Sequence, residues 1–278
     1  MNYTDSSYVA GIMGMDTVSL GGWTIYGQPV QLADNIAPVL IQSAGDGVLG
    51  LGFGKPNSST RTPVQEILGQ KTAIPKPEQV FTVKLGTAGG GGPFFAFGST
   101  VDAGKKEIYY TPTINRDRGF WEFDSSSTTV NGKKLDLPGN RAVVDTGTPL
   151  VLVDDTVCRA IYDAIPGATY DYENQGYIFP SDVAKDNLSS VTLAVGERQF
   201  AVPKEELSFA GARGKTGYTY GGIQSRGSLE FDVLGGAFLK GIYAVSSIPC
   251  RCPGLTRSHL FHLQVFDVGN LRFGAVEL

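Results

Sequence analysis

The chain has 278 residues, 41% hydrophobic and 18% charged, which is ordinary globular material long enough to bury a large core in one or two domains. A net charge of −4 gives no electrostatic footprint for nucleic acid or an anionic membrane, and no apolar run reaches the roughly 18–20 residues that span a bilayer. Three cysteines, an odd number with two of them a residue apart, do not describe a disulfide framework.

The 37 glycines and short alternating runs predict an all-β chain of many strands joined by tight turns. Tyr8 to Gly21 reads as a loosely alternating strand, and Trp23 to Leu32 as another after the Gly21-Gly22 turn. Asp46 to Gly54 reads as an apolar strand whose glycines allow close backbone packing. Thr62 caps a short helix with Pro63 at its first position. The run Gly89 to Gly92 lies between apolar segments and reads as a hairpin loop; with no following helix and no Lys-Ser or Lys-Thr it does not make a phosphate cradle. A domain change is expected near residues 100–110.

Ala142-Val143-Val144 and Leu150-Val151-Leu152-Val153 flank Asp145-Thr146-Gly147-Thr148, so two apolar strands hold one carboxylate on a tight turn. That turn occurs once: no second Asp-Thr-Gly or Asp-Ser-Gly exists in the 278 residues. Asp154 or Asp155 caps a following helix with Val157, Ile161 and Ile165 on one face, ended by Pro166-Gly167.

These segments, taken in order, resemble the pepsin-like aspartic proteases, most closely the secreted fungal members. Tyr3-Thr4-Asp5-Ser6-Ser7 is similar to the flap hairpin that closes over substrate, and Asp46-Gly47-Val48-Leu49-Gly50-Leu51 to a segment of the first lobe. Phe120-Trp121-Glu122-Phe123, Tyr220-Gly221-Gly222-Ile223-Gln224-Ser225 and Val233-Leu234-Gly235-Gly236-Ala237-Phe238 continue the order through the second lobe. The resemblance implies a bilobal fold, with 1–105 from the first lobe and 106–278 forming the second. It implies a monomeric, secreted aspartic endopeptidase acting on peptide or protein substrates, without cofactor or metal. Asp145 is then a catalytic aspartate, and Tyr3, Asp5, Ser7, Gly147 and Thr148 contact substrate. Thr146 joins the network that locks the two active-site loops together.

Aspartic proteases use two carboxylates that share one proton, one acting as base and the other as acid on a bound water. The resemblance begins at the flap, so the expectation is an incomplete first lobe without the first catalytic aspartate, and a chain that does not turn over by itself. Binding of peptides without cleavage is the alternative. Gly236 stands where the family has Asp, and Ser181 and Thr219 stand where it has the cysteines of a second-lobe disulfide. Met1 is followed at once by Asn-Tyr-Thr-Asp, which is no secretory leader, yet three glycosylation sequons begin at Asn2, Asn57 and Asn187.

Val245 to Gln264 interrupts a strand that the family runs from Tyr243-Ala244 directly into Val265-Phe266-Asp267. It holds Cys250, Cys252, His259 and His262, but Cys-x-Cys and His-x-x-His are tighter than usual zinc spacings. The segment reads as a retained intron or a surface insert rather than a metal site.

Overall fold

A computed structural model describes residues 8–20, 23–38, 46–54, 61–69, 80–85, 94–97, 108–241, 264–267 and 271–275. The chain divides into two compact units, Met1–Pro75 with Asp117–Gly119, and Lys76–Arg116 with Phe120–Leu278.

In the first unit β1 (Val9–Leu20) pairs antiparallel with β2 (Trp23–Ile36) as a long two-stranded ribbon. Register shifts at Ala10/Gly11 and Asp16/Val18 twist it. Ile12, Met13, Met15, Tyr26 and Leu32 are exposed on the ribbon. The short helix α1 (Pro63–Gly69) starts as expected, and the start is a full capping box. The Gln65 N–H donates to Thr62 Oγ1 at 3.3 Å, and the Thr62 N–H donates to Gln65 Oε1 at 3.0 Å.

Residues 46–54 do not form the expected strand; they are irregular, with Val48 78% exposed. Four glycines in nine residues cost too much backbone entropy to hold an extended ladder. The close packing expected of those glycines does occur. A side chain at Gly52 would collide with the Gly119 carbonyl, and one at Gly54 with the Gln65 carboxamide.

The second unit contains, in order, β3 (Val80–Lys84), β4 (Phe94–Phe97), β5 (Tyr109–Pro112), β6 (Glu122–Asp124), β7 (Ser127–Val130), β8 (Lys133–Asp136), β9 (Arg141–Val144) and β10 (Val151–Val153). Helix α2 (Asp155–Tyr162) follows, then β11 (Thr169–Asp171), β12 (Gly176–Pro180), β13 (Val191–Val195), β14 (Arg198–Val202), β15 (Ser208–Gly211), β16 (Tyr218–Gly221), β17 (Ile223–Ser225) and β18 (Asp232–Leu234). One turn of helix α3 (Gly236–Leu239), β19 (Gln264–Asp267) and β20 (Arg272–Ala275) complete the order. The strands form a five-stranded sheet β4-β3-β19-β20-β5, a second of order β17-β10-β18-β9-β6, and two four-stranded sheets, β11-β12-β16-β15 and β14-β13-β7-β8. Residues 76–112 belong with the later chain because β3 and β5 pair with β19 and β20. β3 and β4 pair antiparallel, Lys84 opposite Phe94; the glycine run expected to form a hairpin loop between them lies outside the described residues.

Asp154 is the cap of α2, accepting from the Thr156 N–H at 2.8 Å. The helix buries Val157, Cys158, Ile161 and Tyr162, but stops at Tyr162 rather than at Pro166. Ile165 reaches the core from the turn beyond, where its N–H bonds to the Tyr162 carbonyl. Burial also pushes the Cys158 thiol well above its ordinary pKa, so this cysteine is an apolar core residue.

Ser181 Oγ and Thr219 Oγ1 lie 2.7 Å apart beside the β12–β16 pair, one hydroxyl donating to the other. A hydrogen bond thus occupies the place where the resemblance implies a disulfide. Replacing both by cysteine (S181C with T219C) is expected to form that bridge and stabilise the unit by about 2–4 kcal/mol. Denaturant unfolding with and without reductant measures the gain, and a double variant no more stable when oxidised would show that the strands cannot accept the bond.

Candidate active site

Asp145 leaves the end of β9 and enters the Asp-Thr-Gly turn that leads to β10. The two strands do not pair with each other. Both flank β18, β9 running parallel to it with Val144 opposite Leu234, and β10 antiparallel with Val151 opposite Leu234. The Asp145 N–H continues this ladder, donating to the Leu234 carbonyl at 3.3 Å. On the other side, the Val144 N–H donates to the Trp121 carbonyl at 3.2 Å. Ala142, Val143, Val151, Val153 and Leu234 are buried, so the carboxylate stands on an apolar base.

Both carboxylate oxygens have donors within the turn. Oδ1 accepts the Gly147 N–H at 2.9 Å, and Oδ2 accepts the Thr148 hydroxyl at 2.6 Å. Short bonds of this kind to a charged acceptor fix its orientation. Asp145 and Thr148 are half-buried, while Thr146 and Gly147 are exposed. Among the described residues the Thr146 hydroxyl makes no hydrogen bond. Tyr3, Asp5 and Ser7 lie outside the described residues, as do Cys250, Cys252, His259 and His262. The structure therefore brings Asp145, Gly147 and Thr148 together and gives no geometry for the expected flap positions.

Backbone contacts that sequence reading did not single out hold the turn from below. The Gly236 N–H donates to the Thr148 carbonyl at 2.7 Å, and the Ala237 N–H to the Pro149 carbonyl at 2.9 Å. The start of α3 thus takes the two carbonyls that follow the Asp-Thr-Gly turn. A side chain at Gly235 would lie within 3.0 Å of the Thr148 and Leu150 carbonyl oxygens, so only glycine fits there. The Leu234-Gly235-Gly236 sequence was the available signal.

A second polar cluster sits at the opposite end of β18. Asp232 is 1% exposed and accepts from Arg226 Nη1 at 2.9 Å and from Asn140 Nδ2 at 2.7 Å. Arg226 also donates to Asn140 Oδ1 at 2.6 Å and to Asp154 Oδ2 at 3.3 Å. Burial raises the Asp232 carboxyl to about 6, against the pull of Asn140 and Arg226. The backbone N–H of Thr156 holds Asp154 below the usual carboxylate range. Nearby, Arg141 pairs with the fully buried Glu122 at 3.1 Å, and Asn115 donates to the same carboxylate at 2.7 Å.

Residues 1–248 match the family described as eukaryotic aspartyl protease. The chain is 33% identical over 249 residues to aspergillopepsin-1 of Aspergillus oryzae, covering 88% of this chain and 61% of that protein. Against penicillopepsin-1 of Penicillium rubens the identity is 32% over 249 residues, with 88% and 60% covered. The chain thus spans about three-fifths of the length of these curated relatives. The fold is similar to the crystal structure of an aspartic proteinase from Irpex lacteus, with a TM-score of 0.72 and 21% identity, covering 100% of this chain and 80% of that one.

Proposed function

The chain belongs to the eukaryotic aspartyl protease family, and from that premise we propose that it is part of an aspartic endopeptidase in which Asp145 supplies one carboxylate of the catalytic pair. The observation that carries this reading is the turn itself, with both oxygens of Asp145 held by Gly147 and Thr148 at the head of two strands astride β18.

In this reading a water molecule lies between Asp145 and a second carboxylate. The ionised member removes its proton as it attacks the peptide carbonyl, and the protonated member donates to the developing oxyanion. Gly147 N–H and Thr148 Oγ1–H keep Asp145 from rotating away from that water. Gly147 and Thr148 then border the substrate, and Tyr3, Asp5 and Ser7 close over it as a flap. Thr146 locks the turn to its counterpart on the other lobe. The lobes of this reading are 1–105 and 106–278, the substrate is a peptide or protein, the product is secreted, and the working unit is a monomer without metal or cofactor. Among the described residues no helix is long and apolar enough to cross a membrane.

The second carboxylate must come from another Asp-Thr-Gly or Asp-Ser-Gly turn, and the 278 residues contain one such turn. That count favours a second reading, in which these residues by themselves bind extended peptides without cleaving them. Cleavage of an unfolded protein substrate at acid pH, together with binding of a statine-type peptide, separates the two. Cleavage that Asp145→Asn abolishes supports the endopeptidase. Binding without cleavage supports the peptide-binding reading, and neither activity from a folded chain would overturn both.

A further inference from the structure

We propose that Asn187 is an N-glycosylation site whose acceptor sequence is legible only before the second unit folds. Asn187-Leu188-Ser189 has the acceptor pattern, with no proline in the middle. Asn187 is the last residue of a single 3₁₀ turn, Lys185–Asn187, and is exposed. Its backbone N–H bonds to the Ala184 carbonyl at 2.8 Å, which fixes the turn. Its carboxamide makes no hydrogen bond among the described residues, so a bulky group on Nδ2 displaces no contact described there.

The two residues that follow do the opposite. Leu188 is 6% exposed and Ser189 1% exposed. The Ser189 hydroxyl donates to the Ile161 carbonyl at 2.8 Å, which ties this segment to α2. Asn131 straddles the same place, donating from Nδ2 to Ser189 Oγ at 3.4 Å and accepting the Ser190 N–H at 2.8 Å. The hydroxyl that a transferase reads is therefore buried and bonded in the native fold, while the nitrogen it modifies stays in solvent. Transfer has to precede docking of Ser189 on α2, and the finished fold then carries the glycan without rearrangement.

The donor is an oligosaccharide linked to a lipid pyrophosphate. The bond formed joins Asn187 Nδ2 to the first sugar carbon, and the bond broken is that carbon's link to the pyrophosphate oxygen. The lipid pyrophosphate leaves with its electron pair, and one amide proton passes to a base. No oxidant or reductant takes part.

The test translates the full chain, carrying Asn2→Gln and Asn57→Gln, behind a cleavable leader in the presence of endoplasmic-reticulum microsomes. An appended acceptor tripeptide at the far end marks every translocated molecule with one glycan. The expected product carries two glycans, both removed by peptide N-glycosidase, and Asn187→Gln reduces it to one. Ser189→Ala also reduces it to one, whereas Ser189→Thr, which keeps the hydroxyl, retains two. A translocated chain bearing the tag glycan alone would overturn the site. Purified folded chain offered to solubilised transferase is expected to stay unmodified at Asn187 and to accept the glycan once unfolded in urea. Equal modification of folded and unfolded chain would refute the claim that folding hides the acceptor.

Discussion

Gly235→Ala is expected to lower the stability of the second unit by about 3 kcal/mol and to loosen the Asp145 turn. The backbone at Gly235 has φ −92°, a value any residue adopts, so the cost does not come from its dihedral. It comes from space. A Cβ there falls within 3.0 Å of the Thr148 and Leu150 carbonyl oxygens, and both belong to backbone that cannot swing aside like a long side chain. Relief requires α3 to move off the loop, which breaks the Gly236-to-Thr148 and Ala237-to-Pro149 hydrogen bonds. Gly236→Ala is the control, since its Cβ would come no closer than 3.1 Å to the Pro149 carbonyl. It should cost about 1 kcal/mol. Urea unfolding gives the energies, and limited proteolysis across 145–150 gives the loosening. Equal stability of the two variants would remove the close approach as the reason for glycine at 235.

Arg226→Gln should destabilise the same unit by about 3 kcal/mol at pH 7 and by about 1 kcal/mol at pH 4. Arg226 is the cation shared by Asp232 and Asp154, and its removal leaves a nearly fully buried carboxylate with Asn140 as its remaining donor in the cluster. The charged groups acting on Asp232 are Arg226 on the connection that precedes it and Asp154 at the cap of α2; Arg141, on the adjacent strand β9, is itself paired with Glu122 and Glu230. The pH dependence follows from Asp232, whose folded pKa of about 6 lies above the ordinary 3.8 because burial disfavours the charge. Between those values the folded state holds more protons than the unfolded one, so stability falls as pH rises through the window. Asp232→Asn removes that titration. Its stability should be flat relative to wild type below pH 4 and should gain on wild type between pH 4 and 6. Parallel stability–pH curves for wild type and Asp232→Asn would show that Asp232 does not titrate in this range.

Local signals in the sequence carried through well. Thr62 and Asp154 each begin a helix because their side chains take an N–H of the first turn, an interaction within two or three residues. The apolar runs on either side of Asp145 are strands for the same reason of scale: a short apolar run rich in β-branched valine is read in place. What failed was composition without context. Asp46 to Gly54 is apolar enough for a strand, but its glycines leave the extended backbone too little to gain.

The long-range parts were not legible. Nothing near Val144 announces that its neighbour is Leu234, and nothing near Arg226 announces that it will meet Asn140 and Asp154. The Asp-Thr-Gly turn could be picked out as a carboxylate on a turn. That its next carbonyls are held by the start of α3 depends on pairing between segments far apart in sequence.

That separation sets an order of events on the ribosome. Leu234 is synthesised roughly ninety residues after Val144, and its strand β18 is, among the described residues, the one that pairs with both β9 and β10. Until β18 has left the exit tunnel, the two arms of the Asp145 turn have no common strand between them, and the turn that carries the carboxylate has no fixed place in the sheet. The site is therefore assembled late and all at once, when α3 slides its first N–H groups under the turn. A chain paused before residue 232 would hold every residue of the turn without the strand that joins its two arms.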